Sequence, residues 1–233
     1  RVLVLIDAGN TRVKVGLFRN IPHAEGRLPV CEAFVASRGE DHKFWPSARE
    51  AVARHGSLPD SIITGSSPQQ IDRLVAKWPR DWPRPRLLTD RSLLPIEIDV
   101  DEPQRVGMDR LLDGVAANVL RSEGVPAIVI DVGTATTVNA ISKAGTFVGG
   151  AILPGPEMSA HGLHEYTAVL PDVSLEDLFE TEPPVVGRKT KDAIKSGLYW
   201  GHLYSLLGYC EQMKDTLNCP PDPLVLLTGG AAR

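Results

Sequence analysis

The chain has 233 residues, 42% apolar and 23% charged, with a formal net charge of −4. That balance is globular and allows one or two domains at ~150 residues each, excluding dominant disorder; 21 Gly and 19 Pro without a Gly-X-Y period exclude collagen and point to many tight turns. The acidic balance excludes a basic nucleic-acid face, and apolar runs such as Val2 to Ile6 are far short of the ~20 residues of a membrane span, so neither nucleic acid nor membrane is an expected partner.

Val2-Leu3-Val4-Leu5-Ile6 reads as a buried central strand that ends at Asp7-Ala8-Gly9-Asn10-Thr11. Val13, Val15 and Leu17 then alternate with Arg12, Lys14 and Gly16, which makes a half-buried partner strand and a hairpin. A third strand is expected at 30–36, a helix at 42–55, a strand at 61–64 ending in Thr64-Gly65, and a helix at 69–77 stopped by Trp78-Pro79. Residues 79–95 are Pro-rich and read as irregular. Met108, Leu111, Leu112, Val115, Ala116 and Val119 have helical spacing, which predicts a helix over 105–121.

The opening pattern then recurs. Ala127-Ile128-Val129-Ile130 is a buried strand ending at Asp131-Val132-Gly133-Thr134-Ala135-Thr136, and strands through Ile141 and Leu153 follow around a turn at Lys143-Ala144-Gly145. Leu226-Leu227-Thr228-Gly229 echoes Ile62-Ile63-Thr64-Gly65. The expected architecture is α/β and duplicated: two halves, 1–118 and 119–233, each a three-strand meander followed by βα units, with mixed sheets flanked by helices. A long helix is expected at 199–217, its face of Tyr199, Leu203, Leu206 and Leu207 serving either the core or a dimer surface. The Thr228-Gly229-Gly230 ending normally opens into a helix, so more chain is expected to follow it. No secretory leader is recognisable, so the cytoplasm is the expected compartment. Cys31, Cys210 and Cys219 lack a Cys-x-x-Cys pair and are expected as unpaired thiols; His161 and His164 read as a helix surface.

The chemistry concentrates in the two Asp-x-Gly turns. Each sets a carboxylate at the end of a central strand, where α/β sheets bind ligands, and a Gly there lets backbone N–H groups approach a phosphate. Asn10, Thr11, Thr134 and Thr136 add neutral donors, and Lys14, on the strand leaving the first turn, is within reach of a terminal phosphate. Asp109-Arg110 stands at the start of a predicted helix, whose N-terminal end favours anions.

These motifs resemble the actin-like ATPase superfamily of sugar kinases and heat-shock chaperones, built from ribonuclease-H-like domains. Within it they are most similar to type III pantothenate kinases, through Asp7 to Lys14, Gly107-Met108-Asp109-Arg110, Asp131 to Thr137, Gly149 to Gly155, Thr167-Ala168-Val169-Leu170-Pro171, Gly187-Arg188-Lys189-Thr190 and Thr228-Gly229-Gly230. The resemblance implies an ATP-dependent phosphorylation of pantothenate to 4′-phosphopantothenate, in a cleft between the two ribonuclease-H-like halves that the second subunit of a homodimer completes. It implies an ATP-phosphate role for Asp7, Gly9, Asn10, Thr11, Arg12, Val13 and Lys14, and for Gly133, Thr134 and Thr136. Gly229 and Gly230 would lie by the adenosine, Asp131 would hold a monovalent cation (potassium or ammonium), and magnesium would accompany ATP. Gly107, Met108, Asp109, Arg110 and Thr190 would contact pantothenate, Thr190 from the partner subunit, with Asp109 as the general base. Asn139 departs from the family's frequent Asp. Alternatives are a kinase for another small hydroxyl or carboxyl substrate, or a non-catalytic regulator retaining the fold.

Overall fold

The computed structural model describes residues 2–19, 26–38, 44–54 and 59–232. The chain divides into two compact units: Arg1–Pro95 with Glu102–Leu120, and Ile96–Asp101 with Arg121–Arg233. Residues Ile96–Asp101 join the second unit through backbone pairing with Phe147, whose N–H donates to Glu97 O at 2.8 Å and whose carbonyl accepts from Asp99 N at 2.9 Å.

In the first unit, β1 (Val2–Ala8), β2 (Arg12–Arg19) and β3 (Cys31–Arg38) form an antiparallel meander, and β4 (Asp60–Thr64) and β5 (Arg86–Leu87) continue in parallel, giving the order β3-β2-β1-β4-β5. The alternation read in the sequence is physical: Val4, Ile6 and Ala8 of β1 and Val13, Val15 and Leu17 of β2 bury on one face, so Asp7 and Lys14 must lie on the other. Helices α1 (Phe44–Ala53) and α2 (Pro68–Ala76) cover the apolar face with Phe44, Ala48, Val52, Ile71 and Leu74. Positions 42, 43 and 55 of the helix expected at 42–55 lie outside the described residues. Trp45, Trp78 and Trp82 meet edge to face at 5.4 to 6.4 Å, a structural cluster. The short β5 lies in the Pro-rich stretch expected to be irregular; two residues are too few to leave a periodic signal. The unit ends with α3 (Met108–Leu120), which buries Met108, Leu111, Gly114 and Ala117.

The second unit repeats the wiring. Strands β6 (Ala127–Val132), β7 (Ala135–Ile141) and β8 (Phe147–Pro154) form the meander, and β9 (Leu224–Thr228) lies parallel to β6, in the order β8-β7-β6-β9. The repeat holds at the level of register: Asp7 is opposite Thr64, and Asp131 opposite Thr228. Each Thr-Gly echo in the sequence thus marks the parallel strand laid beside the Asp-bearing strand. The architecture is α/β with duplicated ribonuclease-H-like units, mixed sheets flanked by helices.

Helices α4 (Pro156–Glu165) and α5 (Leu175–Phe179) precede α6 (Thr190–Thr216), which runs 27 residues and starts nine positions before the expected 199. Gly197, Gly201 and Gly208 weaken the sequence signal, because Gly is a poor helix former; an added Cβ at each would meet nothing within 4 Å. Ile194, Leu198, His202 and Leu206 follow one another at four-residue intervals, and the three apolar members are buried. Leu206 joins Ile130, Val138 and Ala140 in a core cluster, whereas Leu203 and Leu207 are exposed, so the long apolar face divides between core and surface. Among the described residues no helix is long and apolar enough to cross a membrane. The three cysteines are free thiols.

Candidate active site

Three acidic elements gather the expected residues. In the first unit, the hairpin between β1 and β2 closes with Gly9 N donating to Arg12 O at 3.0 Å, and a Cβ on Gly9 would sit 2.9 Å from that carbonyl oxygen. Asn10 is exposed at the turn, with Thr11 and Arg12 half-buried beside it. Asp7 and Lys14 face each other across the ladder, and Lys14 Nζ is 3.1 Å from Asp7 Oδ2. Both side chains are more than a third exposed, so the pair adds little to stability and the ammonium remains accessible to a ligand. Ser67 N donates to Ala8 O at 3.0 Å, tying the start of α2 to the end of β1. The Val13 side chain is 3% exposed in the core because it pairs with Ala8 on the inward face, so its backbone is the part that a phosphate could meet.

The second element is the N-terminal turn of α3. Asp109 is half-buried, and its Oδ1 accepts from Arg110 N at 2.8 Å. A Cβ on Gly107 would meet that carboxylate oxygen, so any larger residue there turns the Asp109 side chain. The preceding segment is anchored by Arg91 Nε donating to Val106 O at 2.7 Å. Burial pushes the Arg110 guanidinium below its ordinary pKa, and the nearby Asp109 and Asp113 oppose that shift. Met108, expected at the substrate, is instead 4% exposed: it is the first inward position of α3.

In the second unit, the hairpin between β6 and β7 is closed by Gly133 N donating to Ala135 O at 3.2 Å, and Thr134 is exposed at its tip. Gly155 N donates to Thr134 O at 3.0 Å, which holds the tip against the start of α4. Gly229 has φ 105°, and an added Cβ would lie 2.5 Å from Asp131 Oδ1 and from the backbone of Val132. The Asp131 carboxylate therefore rests against bare backbone, with Gly230 exposed next in the chain. Asp131 has Thr137 and Thr228 as cross-strand neighbours, and its carboxylate lies close to Gly229 and the Val132 backbone. Carboxylate and hydroxyl oxygens are the donor types a hard cation takes. Among the described residues no group of three His, Cys, Asp or Glu is arranged for a metal ion.

Thr136, expected at the phosphates, turns its side chain into the core. Strand alternation turns its side chain away from Asp131 and toward α6; it is fully buried, and its Oγ1 is hydrogen-bonded to His202 Nε2 at 3.0 Å. Asn139 is also fully buried, and its Nδ2 donates to Thr137 Oγ1 at 3.1 Å, so the Asp-to-Asn departure seats a neutral donor inside the sheet.

Thr190, the first residue of α6, lines an open cavity of about 790 Å³ within the second unit, together with Tyr166, Thr167, Leu170, Ser159 and His202. Sequence reasoning did not single out His202. The available signal was a polar residue on the four-residue apolar stripe of α6. Burial lowers its pKa, and none of the residues lining its two adjoining cavities carries a formal charge.

Duplicated units, each with an acidic hairpin whose Asp lies opposite the Thr of a parallel strand, define a two-unit α/β protein of the ribonuclease-H-like class. The model of the type III pantothenate kinase family matches residues 3–212 of the chain. The Type III pantothenate kinase of Gluconobacter oxydans is 39% identical over 235 residues, covering 99% of this chain and 83% of its own. That of Rhodospirillum centenum is 32% identical over 241 residues, covering 100% and 88%. The chain belongs to the type III pantothenate kinase family. A solved structure from Campylobacter jejuni, described as a Baf family transcriptional activator, superposes with a TM-score of 0.54 at 16% identity, over 98% of this chain and 84% of its own, and shares the fold.

Proposed function

We propose that this chain transfers the terminal phosphoryl group of ATP to the primary alcohol of pantothenate, giving 4′-phosphopantothenate and ADP, the first step of coenzyme A synthesis. Family membership over residues 3–212 supports the reaction. The observation that carries it to residues is the matched seating of Asp7 and Asp131, each opposite a Thr of a parallel strand at a hairpin mouth.

In this reading Lys14, exposed beside Asp7, places its ammonium on the phosphate tail, and the N–H groups around Gly9 to Arg12 and Gly133 to Thr134 complete the anion cradle. Magnesium, when bound with ATP, neutralises the β- and γ-phosphate oxygens; Asp7 supplies the nearby carboxylate. Asp131 supplies the carboxylate for potassium or ammonium. Gly229 and Gly230, lacking side chains, leave room for the adenosine. Asp109 orients the pantothenate hydroxyl and accepts its proton as the oxygen bonds to the γ-phosphorus and ADP departs. Such transfer depends mostly on positioning and charge, so a carboxylate suffices as acceptor. Arg110 holds the pantothenate carboxylate, and Thr190 completes that subsite from the partner subunit of a homodimer in the cytoplasm. A non-catalytic regulator would have no need of Asp7, Asp109 and Asp131 together.

The test is ADP release by purified protein with pantothenate and magnesium-ATP, in potassium or in sodium. Potassium-stimulated turnover is expected, with Asp109→Asn about 10²–10⁴-fold slower while ATP still binds. Full activity in Asp109→Asn removes Asp109 as the base; no turnover in the wild type under either salt removes the reaction.

A further inference from the structure

We propose that His202 is a positioning residue of the second phosphate hairpin: through Thr136 it fixes the tip formed by Gly133 and Thr134. The inference rests on that hairpin serving the nucleotide.

Thr136 is the first inward-facing residue of β7 and pairs with Val132 on one side and Leu153 on the other. Its hydroxyl is fully buried, where a polar group left without a hydrogen bond is costly, and His202 Nε2 is 3.0 Å away. The loop Gly133-Thr134-Ala135 projects directly from the Val132–Thr136 pair, so a rotation at Thr136 is carried to the tip. Gly155 N holds the tip from the β8 side at 3.0 Å, and His202 holds its base from the α6 side. The two attachments fix the loop at two points, as a preorganised anion cradle requires.

His202 lines the same cavity as Thr190, Ile194 and Leu198, three turns along one continuous helix from Thr190. A helix transmits displacement along its axis, so α6 joins the Thr190 end of the cavity to the base of the nucleotide hairpin. Replacing the imidazole by a hydrocarbon keeps the stripe apolar but leaves the Thr136 hydroxyl unbonded and free to rotate.

The experiment compares wild type, His202→Leu, His202→Gln, Thr136→Val and the Thr136→Val/His202→Leu double variant. Two readouts are taken: steady-state kinetics in each substrate, and magnesium-ATP affinity by equilibrium dialysis. His202→Leu is expected to lower kcat/KM for ATP and ATP affinity by about tenfold, with KM for pantothenate changed less than about twofold. His202→Gln, which keeps a hydrogen-bonding group near the Nε2 position, is expected within about threefold of wild type. The double variant is expected to be no worse than His202→Leu alone, because both remove one interaction. Wild-type ATP affinity in His202→Leu, equal loss toward both substrates with no rescue by Gln, or additive losses would each overturn the role. Should His202→Leu fail to fold, Thr136→Val and His202→Gln decide the question by the same readouts. A wild type that binds ATP without phosphorylating pantothenate defeats the kinase reading alone; the dialysis series still judges His202.

Discussion

Gly229→Ala isolates the contact on which the Asp131 site depends. The backbone there has φ 105°, which an L-residue reaches at a cost of about 1–2 kcal/mol. The new Cβ would also lie 2.5 Å from Asp131 Oδ1 and from Val132 backbone atoms, where ordinary contact begins at 3.4 Å, so about 0.9 Å of movement is forced. Backbone on one side cannot yield cheaply; the carboxylate can turn. Overpacking of this kind adds about 1–3 kcal/mol, for a total of roughly 2–5 kcal/mol against the unit that holds β6 and β9. At about 2–4 °C per kcal/mol, its thermal midpoint falls by roughly 4–20 °C. Displacing the carboxylate by nearly an ångström costs turnover up to about 10²-fold even at temperatures where the variant is fully folded. Gly124→Ala is the control: φ is 72° and nothing lies within 4 Å of the added Cβ, so it incurs the backbone cost alone and leaves turnover unchanged. Calorimetry and the ADP-release assay on both variants check the argument. Wild-type stability and turnover in Gly229→Ala, or equal loss of turnover in Gly124→Ala, would refute the steric account.

Lys14→Met removes the 3.1 Å pair with Asp7, whose partners are exposed enough that the stability change stays below about 1 kcal/mol. In the same variant kcat/KM for ATP falls by about tenfold or more, read by ADP release; a midpoint loss with unchanged kinetics contradicts the phosphate role of the ammonium. Burial lowers the pKa of His202 in the folded state below the unfolded value of ~6.5, so the unfolded chain binds the extra proton. Its contribution to stability is complete above about pH 6.5 and is lost as the pH falls from there toward the lowered folded pKa. Thermal midpoints at pH 7.5 and 5.5 should drop less in His202→Gln than in wild type; identical drops exclude His202 as a source of acid sensitivity.

Much of the fold was legible because its signals are local. Alternation at Val13, Val15 and Leu17 and the apolar runs before Asp7 and Asp131 specify strands and the hairpins between them, and the Thr-Gly echoes identify the parallel neighbours. Gly107 and Gly229 were named through the family motif, but the close approach of each to a carboxylate is visible only in the fold. The start of α6 was hidden because Gly197 interrupts the helical pattern there, and packing against α4, α5 and the sheet supplies what propensity lacks.

The motif alone could not say which of its residues face a ligand. A strand sends successive side chains to opposite sides, and which side is covered depends on helices distant in the sequence. That is why Val13, Met108 and Thr136 turn inward while Asp7, Lys14 and Thr134 remain accessible. The bond between Thr136 and His202 joins positions 66 residues apart, and no local pattern encodes it. The sequence determined the elements and the chemical inventory; the burial of one face of each sheet decided how that inventory divides between core and site.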